Sequence, residues 1–194
     1  MTVIAKTKFL EFKSAKSPSG KDWYYVRRTN DSENHDSAVV ITTLVKANDE
    51  YNFLLFKNVR PPLTAENKAT FCLESPAGLI GDVDCQESML ECAKKELLEE
   101  AGLVADEVFV ELENCSTSAG LSCETLSYVT AIVNEYDIKQ KPVDDGGIIV
   151  ERFLVPVKDI LNYMNSLDKK EVSIAAATVC GIFYAKERIT KKEG

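Results

Sequence analysis

The stretch GDVDCQESMLECAKKELLEEAGL, residues 81–103, decides how the rest of the chain is read. It opens as a loop and becomes a helix whose two ends are both marked. Ser88 and Glu91 stand at the spacing of a capping box, in which a hydroxyl and a carboxylate each accept a backbone amide hydrogen from the other's residue. Leu90, Ala93, Leu97 and Ala101 recur at helical spacing as an apolar stripe, and Gly102 supplies the left-handed conformation that ends a helix. A helix over residues 88–101 is therefore predicted. On it Glu96, Glu99 and Glu100 are spaced i, i+3 and i+4, so at about 100° per residue their carboxylates share one face. Like charges at this spacing cost only about a few tenths of a kcal/mol per exposed pair, so a solvated acidic face is one reading. The other is a cluster of carboxylates that holds hard divalent cations.

Composition narrows the chemistry. Of the 194 residues, 45% are hydrophobic and 28% charged, the balance of one soluble globular domain with at most a small appended element. No apolar run approaches the roughly eighteen residues of a membrane span, and the opening MTVIAKTKFL lacks the apolar stretch of a signal peptide. A cytoplasmic protein is expected. Cys72, Cys85, Cys92, Cys115, Cys123 and Cys180 include no Cys-x-x-Cys pair and read as reduced, mostly structural thiols. The one histidine, His35, lies in the polar NDSENHDS loop, so His-rich metal sites and Ser-His or Cys-His catalysis are short of parts. Any metal must be held by oxygens. A net charge of −8 without a basic stripe argues against binding along nucleic-acid phosphates. An acidic protein still binds a phosphorylated small molecule when cations bridge the two sets of negative charge.

Around the helix the chain alternates strand and turn signals. Strands are expected at residues 4–12, 23–28, 38–46 and 52–59, separated by Ser17-Pro18-Ser19-Gly20, by the loop at residues 30–37 and by Asn48-Asp49-Glu50. Pro61-Pro62 ends the fourth, and a short strand at residues 70–74 leads to Ser75-Pro76-Ala77-Gly78. Beyond the helix, strands are expected at 108–113, 124–134 and 148–155, then helices at 158–167 and 173–188. Many strands with one central and two late helices make an α+β fold, a mixed sheet covered by helices.

At Gly81, Glu87, Glu96, Leu97, Glu99, Glu100, Gly102 and Leu103 the stretch resembles the Nudix box, Gly-x5-Glu-x7-Arg-Glu-U-x-Glu-Glu-x-Gly-U with U apolar. Lys95 stands where the family has arginine; it keeps the charge and loses the planar fork. The resemblance implies a Nudix fold, an α/β/α sandwich with a mixed sheet, and hydrolysis of a nucleoside diphosphate conjugate with Mg²⁺ or Mn²⁺. It also implies that Glu99 and Glu100 coordinate metal, that Glu96 ligates or orients the attacking water, and that Glu87 supports the site. Val59-Arg60-Pro61-Pro62 and Glu74-Ser75-Pro76-Ala77-Gly78-Leu79-Ile80 resemble the ADP-sugar pyrophosphatases, which gives the Ala77 carbonyl a place on the metal and Arg60 one on substrate phosphate. Residues 20–29 resemble that subfamily's strand whose tryptophan stacks on adenine. Trp23 is thereby a stacking platform, Arg28 a polar contact and Phe9 a second aromatic wall, although a half-buried strand aromatic accounts equally for Trp23. In the subfamily the N-terminal sheet is swapped across a homodimer, so residues 1–36 are expected as a swapped β element and 37–194 as the hydrolase domain.

Two positions and one loop depart from the subfamily. Ala119 replaces the proline in Ser118-Ala119-Gly120-Leu121-Ser122-Cys123-Glu124, a segment in which Glu124 is a candidate for substrate or metal. Ile148 stands where the subfamily places a catalytic glutamate, so that Asp144, Asp145 or Glu151 would act as base, or metal and Glu96 alone. The loop between Gly78 and Glu87 is also longer than usual. ADP-ribose or another ADP-sugar leads the substrates; UDP-glucose, GDP-mannose, a dinucleotide, or a nucleotide-binding regulatory module without catalysis are the alternatives.

Overall fold

A computed structural model describes residues 1–29, 37–47, 49–81, 86–136, 141–142 and 148–193; His35, Cys85, Asp144 and Asp145 lie outside them. The chain begins with a three-stranded antiparallel sheet, β1 (Thr2–Lys6), β2 (Leu10–Lys16) and β3 (Asp22–Arg28), in that spatial order. The single strand expected over 4–12 is two strands, because Thr7 turns the chain. Its Oγ1 accepts from the amides of Leu10 at 2.9 Å and Phe9 at 3.2 Å, the local alternative that a hydroxyl offers to a strand ladder.

The rest is built on an eight-stranded mixed sheet. β4 (Ser37–Ala47) and β5 (Glu50–Asn58) form its central hairpin. β6 (Phe71–Glu74) and β7 (Ala77–Leu79) flank that hairpin, on β5 and β4 respectively. β8 (Glu107–Ser116) pairs β9 (Thr125–Val133), β9 runs parallel to β4, and β10 (Ile149–Pro156) lies along β5. The short α1 (Pro61–Ala65) uses Pro61 and Pro62 as its first residues, where a missing amide hydrogen costs nothing. Both prolines were expected only to end a strand.

Side-chain alternation along the central strands explains the layers. Leu54 and Phe56 of β5, Val39 and Ile41 of β4, and Val129 and Ala131 of β9 pack with α2 (Met89–Ala101) on one face. Phe53 and Leu55, Leu44 and Ile132 face the other way, onto α3 (Ile160–Ser166) and α4 (Ala176–Glu193). Strands buried on both faces read as nearly continuous apolar runs, and in residues 38–45 only Thr42 and Thr43 interrupt one. The result is an α/β/α sandwich with an added N-terminal sheet.

The last predicted helix starts later than expected. Residues 172–174 form β11 (Val172–Ile174), parallel to β6 at the sheet edge, and α4 follows. Gly181 brings α4 against the sheet: a Cβ there would lie 2.0 Å from Thr42 Oγ1. Thr42 is buried and β-branched, so Gly181→Ala is expected to destabilise by about 1–3 kcal/mol, read as a lower Tm.

Candidate active site

Local chemistry sets the acidic helix. The Ser88 amide donates to Glu91 Oε2 at 2.8 Å and the Glu91 amide to Ser88 Oγ at 3.3 Å, while Gly102 at φ 71° ends α2. Such a cap contributes about 1 kcal/mol. Cys92, Ala93, Leu97 and Ala101 are buried; Leu90, in the first turn, is exposed, and Met89 packs with the core instead. This orientation leaves Glu96, Glu99 and Glu100 half-buried at the rim of the sheet.

β7 lies directly against that rim. The Ala77 amide donates to Glu100 Oε2 at 3.2 Å, and Glu96 Cγ sits where a Cβ on Gly78 would come within 2.3 Å. Ala77 itself is exposed. Behind the acids, Lys95 Nζ pairs with Glu87 Oε1 at 3.0 Å and with Glu96 at 3.7 Å, and Glu87 Oε2 accepts the Gly81 amide at 3.4 Å. Desolvation pulls the Lys95 pKa down, but the hydrogen bond to Glu87 and the charges of Glu87 and Glu96 more than offset it, so the net shift is upward and the ammonium is retained. Burial, then the charges of Glu87 and Glu96, push the Cys92 thiol up to about 12, which makes it an inert neighbour rather than a nucleophile.

Arg60 enters from the end of β5 in a fork on Glu74: its Nε lies 2.9 and 3.1 Å from the two carboxylate oxygens, and Nη2 completes the pair. Asn58 Nδ2 donates to the same carboxylate at 2.9 Å. Burial raises the Glu74 pKa, yet the Arg60 hydrogen bond and charge and the Asn58 bond outweigh it, holding the group below the usual carboxylate range. Arg60 is raised chiefly by Glu74, and it also feels the charge of Glu100. The side chain expected to meet phosphate is thus held beside the acidic face by Glu74, the first residue of the Glu-x-Pro-Ala-Gly-x-Ile segment.

The N-terminal sheet meets the segment at residues 118–124. Trp23 Nε1 donates to the Gly120 carbonyl at 3.0 Å, the Val26 amide to Leu121 at 2.9 Å, and Arg28 Nη2 pairs with Glu124 Oε1 at 3.0 Å. Trp23 remains 52% exposed, so the indole is available for contact instead of being consumed by a core. Phe9 is not brought opposite it within the chain. It lies at the far end of β3, where the Thr29 amide donates to the Phe9 carbonyl, about 20 Å along the strand from Trp23.

Strand alternation separates Glu151 from Arg152. Arg152 Nε donates to the backbone carbonyl of Glu100, capping the last turn of α2. Glu151 points to the opposite face, where it lines a cavity with Lys57, Phe153 and Tyr163. It is therefore no substitute for the base missing at Ile148. Arg152 and Asn58 carry no motif in the sequence, and Glu74 is marked by its segment but without the role of anchoring Arg60.

No family model matches the chain. An uncharacterized Nudix hydrolase of Schizosaccharomyces pombe is 32% identical over 156 residues, covering 78% of this chain and 71% of that protein. The chain belongs to the Nudix hydrolase family. An ADP-sugar pyrophosphatase of Mus musculus is 29% identical to this Nudix chain over 181 residues, 87% of the chain and 77% of that protein. The crystal structure of an ADP compounds hydrolase shares the fold, with a TM-score of 0.65 at 19% identity over 98% of this chain and 92% of the other. The helical part of the Nudix box is α2, set against β7.

Among the described residues, no three acidic, cysteine or histidine side chains are gathered closely enough to hold a metal as they stand. Glu96 is engaged by Lys95 and packed on Gly78, and Glu100 accepts from Ala77. The donor set is nevertheless all oxygen, on one helix face beside the exposed Ala77, and fits the ligand chemistry of a hard divalent cation. Among the described residues, no helix is long and apolar enough to cross a membrane.

Proposed function

We propose that this Nudix hydrolase cleaves the diphosphate of an ADP-sugar, ADP-ribose foremost, to AMP and a sugar phosphate, with Mg²⁺ or Mn²⁺ bound at Glu96, Glu99, Glu100 and the Ala77 carbonyl. The observation that carries the reading is the acidic face of α2 laid against β7, with Arg60 held beside it by Glu74. A divalent cation there supplies neutralisation of the diphosphate oxygens and activation of water. The chain's own residues do the rest. Arg60 presents a pre-oriented guanidinium to phosphate, and Lys95 with Glu87 fixes the rotamer and charge of Glu96. Gly81 and Gly102 shape the two ends of the box. Trp23 stacks on the base, and Arg28 with Glu124 orders the wall beside it.

The subfamily assignment draws on the mouse ADP-sugar pyrophosphatase and on the Arg-Pro-Pro and Glu-x-Pro-Ala-Gly-x-Ile segments. The N-terminal sheet carries exposed Val3, Ile4, Phe9, Leu10, Phe12 and Tyr24, more apolar surface than a small solvated sheet needs. We assign it, as residues 1–36, to a swapped homodimer interface, with 37–194 as the hydrolase domain in a cytoplasmic protein.

The test is AMP release from ADP-ribose with Mg²⁺ or Mn²⁺, beside UDP-glucose, GDP-mannose and dinucleotides. Metal-dependent preference for ADP-ribose supports the reading; preference for another conjugate replaces the substrate. Binding without turnover would make the chain a regulatory nucleotide-binding module. Trp23→Ala is expected to raise KM for ADP-ribose by about five- to a hundredfold with kcat little changed, the loss of one stacked base at about 1–3 kcal/mol. An unchanged KM would return Trp23 to a structural role.

A further inference from the structure

Helix α4 lies on the far side of the sheet from α2, yet together with β11 it grips the segment on which the catalytic acids rest. β11 extends the sheet beside β6, and the Ala175 amide donates to the Leu73 carbonyl at 3.1 Å. One turn into α4, Thr178 Oγ1 accepts the Ser75 amide at 2.8 Å, a bond between residues only 1% and 5% exposed. Ser75 begins the crossing from β6 to β7. The next residue, Pro76, accepts the Ile41 amide at 2.8 Å, and the two after it are Ala77 and Gly78, against which Glu100 and Glu96 lie. Gly181, one turn further along α4, permits the close approach to β4 that puts Thr178 within reach.

We propose that Thr178 is a positioning residue for the metal face: by holding the Ser75 amide from across the sheet, it sets the height of Ala77 and Gly78 against Glu96 and Glu100. A buried amide left without its acceptor has no water to turn to and relaxes by moving the segment. Movement here is movement of the backbone that the carboxylates and a cation would share. Residues that orient ligands without touching the metal have measurable effects on its affinity. The inference rests on the acidic face being the metal site proposed above.

The experiment compares wild type, Thr178→Val and Thr178→Ser by Mn²⁺ titration calorimetry, amide hydrogen exchange over residues 75–78 without metal, and thermal melting. Thr178→Val keeps the shape and loses the acceptor. It is expected to weaken Mn²⁺ binding by about tenfold or more and to speed exchange at residues 75–78, and Thr178→Ser is expected to restore both. If valine does not fold, Thr178→Ala removes the same acceptor with less change in bulk. A lower Tm with Mn²⁺ affinity and local exchange unchanged, or serine failing to rescue, overturns the proposal. Wild type that does not bind Mn²⁺ overturns it together with the metal site; Mn²⁺ binding without hydrolysis of any diphosphate overturns the enzymatic reading alone.

Discussion

Glu100→Gln is expected to lower kcat for ADP-ribose hydrolysis by about two to three orders of magnitude, with Tm nearly unchanged. The amide is close to isosteric and still offers an oxygen to the Ala77 amide, which now donates to Glu100 Oε2 at 3.2 Å, so the packing of β7 on α2 has no reason to open. What goes is a full negative charge at the face proposed to hold cations against a polyphosphate. The stabilisation a ligated cation gives a developing phosphoryl charge is several kcal/mol, and each ~1.4 kcal/mol is a factor of ten in rate. Steady-state rates across a Mg²⁺ series separate the causes. A defect that added metal repairs is one of affinity; one that persists at saturation lies in catalysis. Turnover within about tenfold of wild type would remove Glu100 from the metal face.

Gly78→Ala is expected to cost about ten- to a hundredfold in kcat through a single methyl group. A Cβ at this position would lie 2.3 Å from Glu96 Cγ and 2.4 Å from both Cδ and Oε1, closer than atoms tolerate. The obstructed group is the end of a flexible side chain rather than backbone, so the fold yields by turning Glu96 away. Stability is nearly kept while the Glu96 carboxylate is displaced from β7. The contrast with Gly181→Ala is informative, because there the added methyl meets buried Thr42 and the effect falls on stability. Kinetics and melting of the two variants side by side distinguish a glycine that serves the site from one that serves the core. Full activity in Gly78→Ala would show that the Glu96 conformation against β7 is not the working one.

The parts of this protein that a reader of the sequence could place are those set by neighbours in the chain. Ser88, Glu91 and Gly102 bound α2 through contacts three residues apart or through one residue's own backbone freedom. The alignment of Glu96, Glu99 and Glu100 follows from helical geometry alone. The turn at Thr7 was missed because a threonine in a β-favouring run is equally good as strand or as turn, and the choice is made by two amide bonds to one hydroxyl. The helix expected over 173–188 takes in two residues of β11, because Ser173 and Ile174 carry no local mark of an edge strand; pairing with β6, about a hundred residues earlier in the chain, decides it. Within the site, the same division holds. The acids were legible, whereas Glu74 beneath Arg60, Gly78 beneath Glu96 and the facing of Arg152 rather than Glu151 depend on which strands lie side by side.

The pairing of β11 with β6 also orders events in time. β6 is synthesised and can join β5 long before its second neighbour exists, and the loop that must close to bring Val172 beside Phe71 spans most of the domain. Contacts of such long range form late, because chain entropy must be lost before they repay it. Helix α2, held by caps within its own sequence, is free of that wait. In a refolding molecule α2 is therefore expected to form before β11 joins β6 and Ser75 meets Thr178.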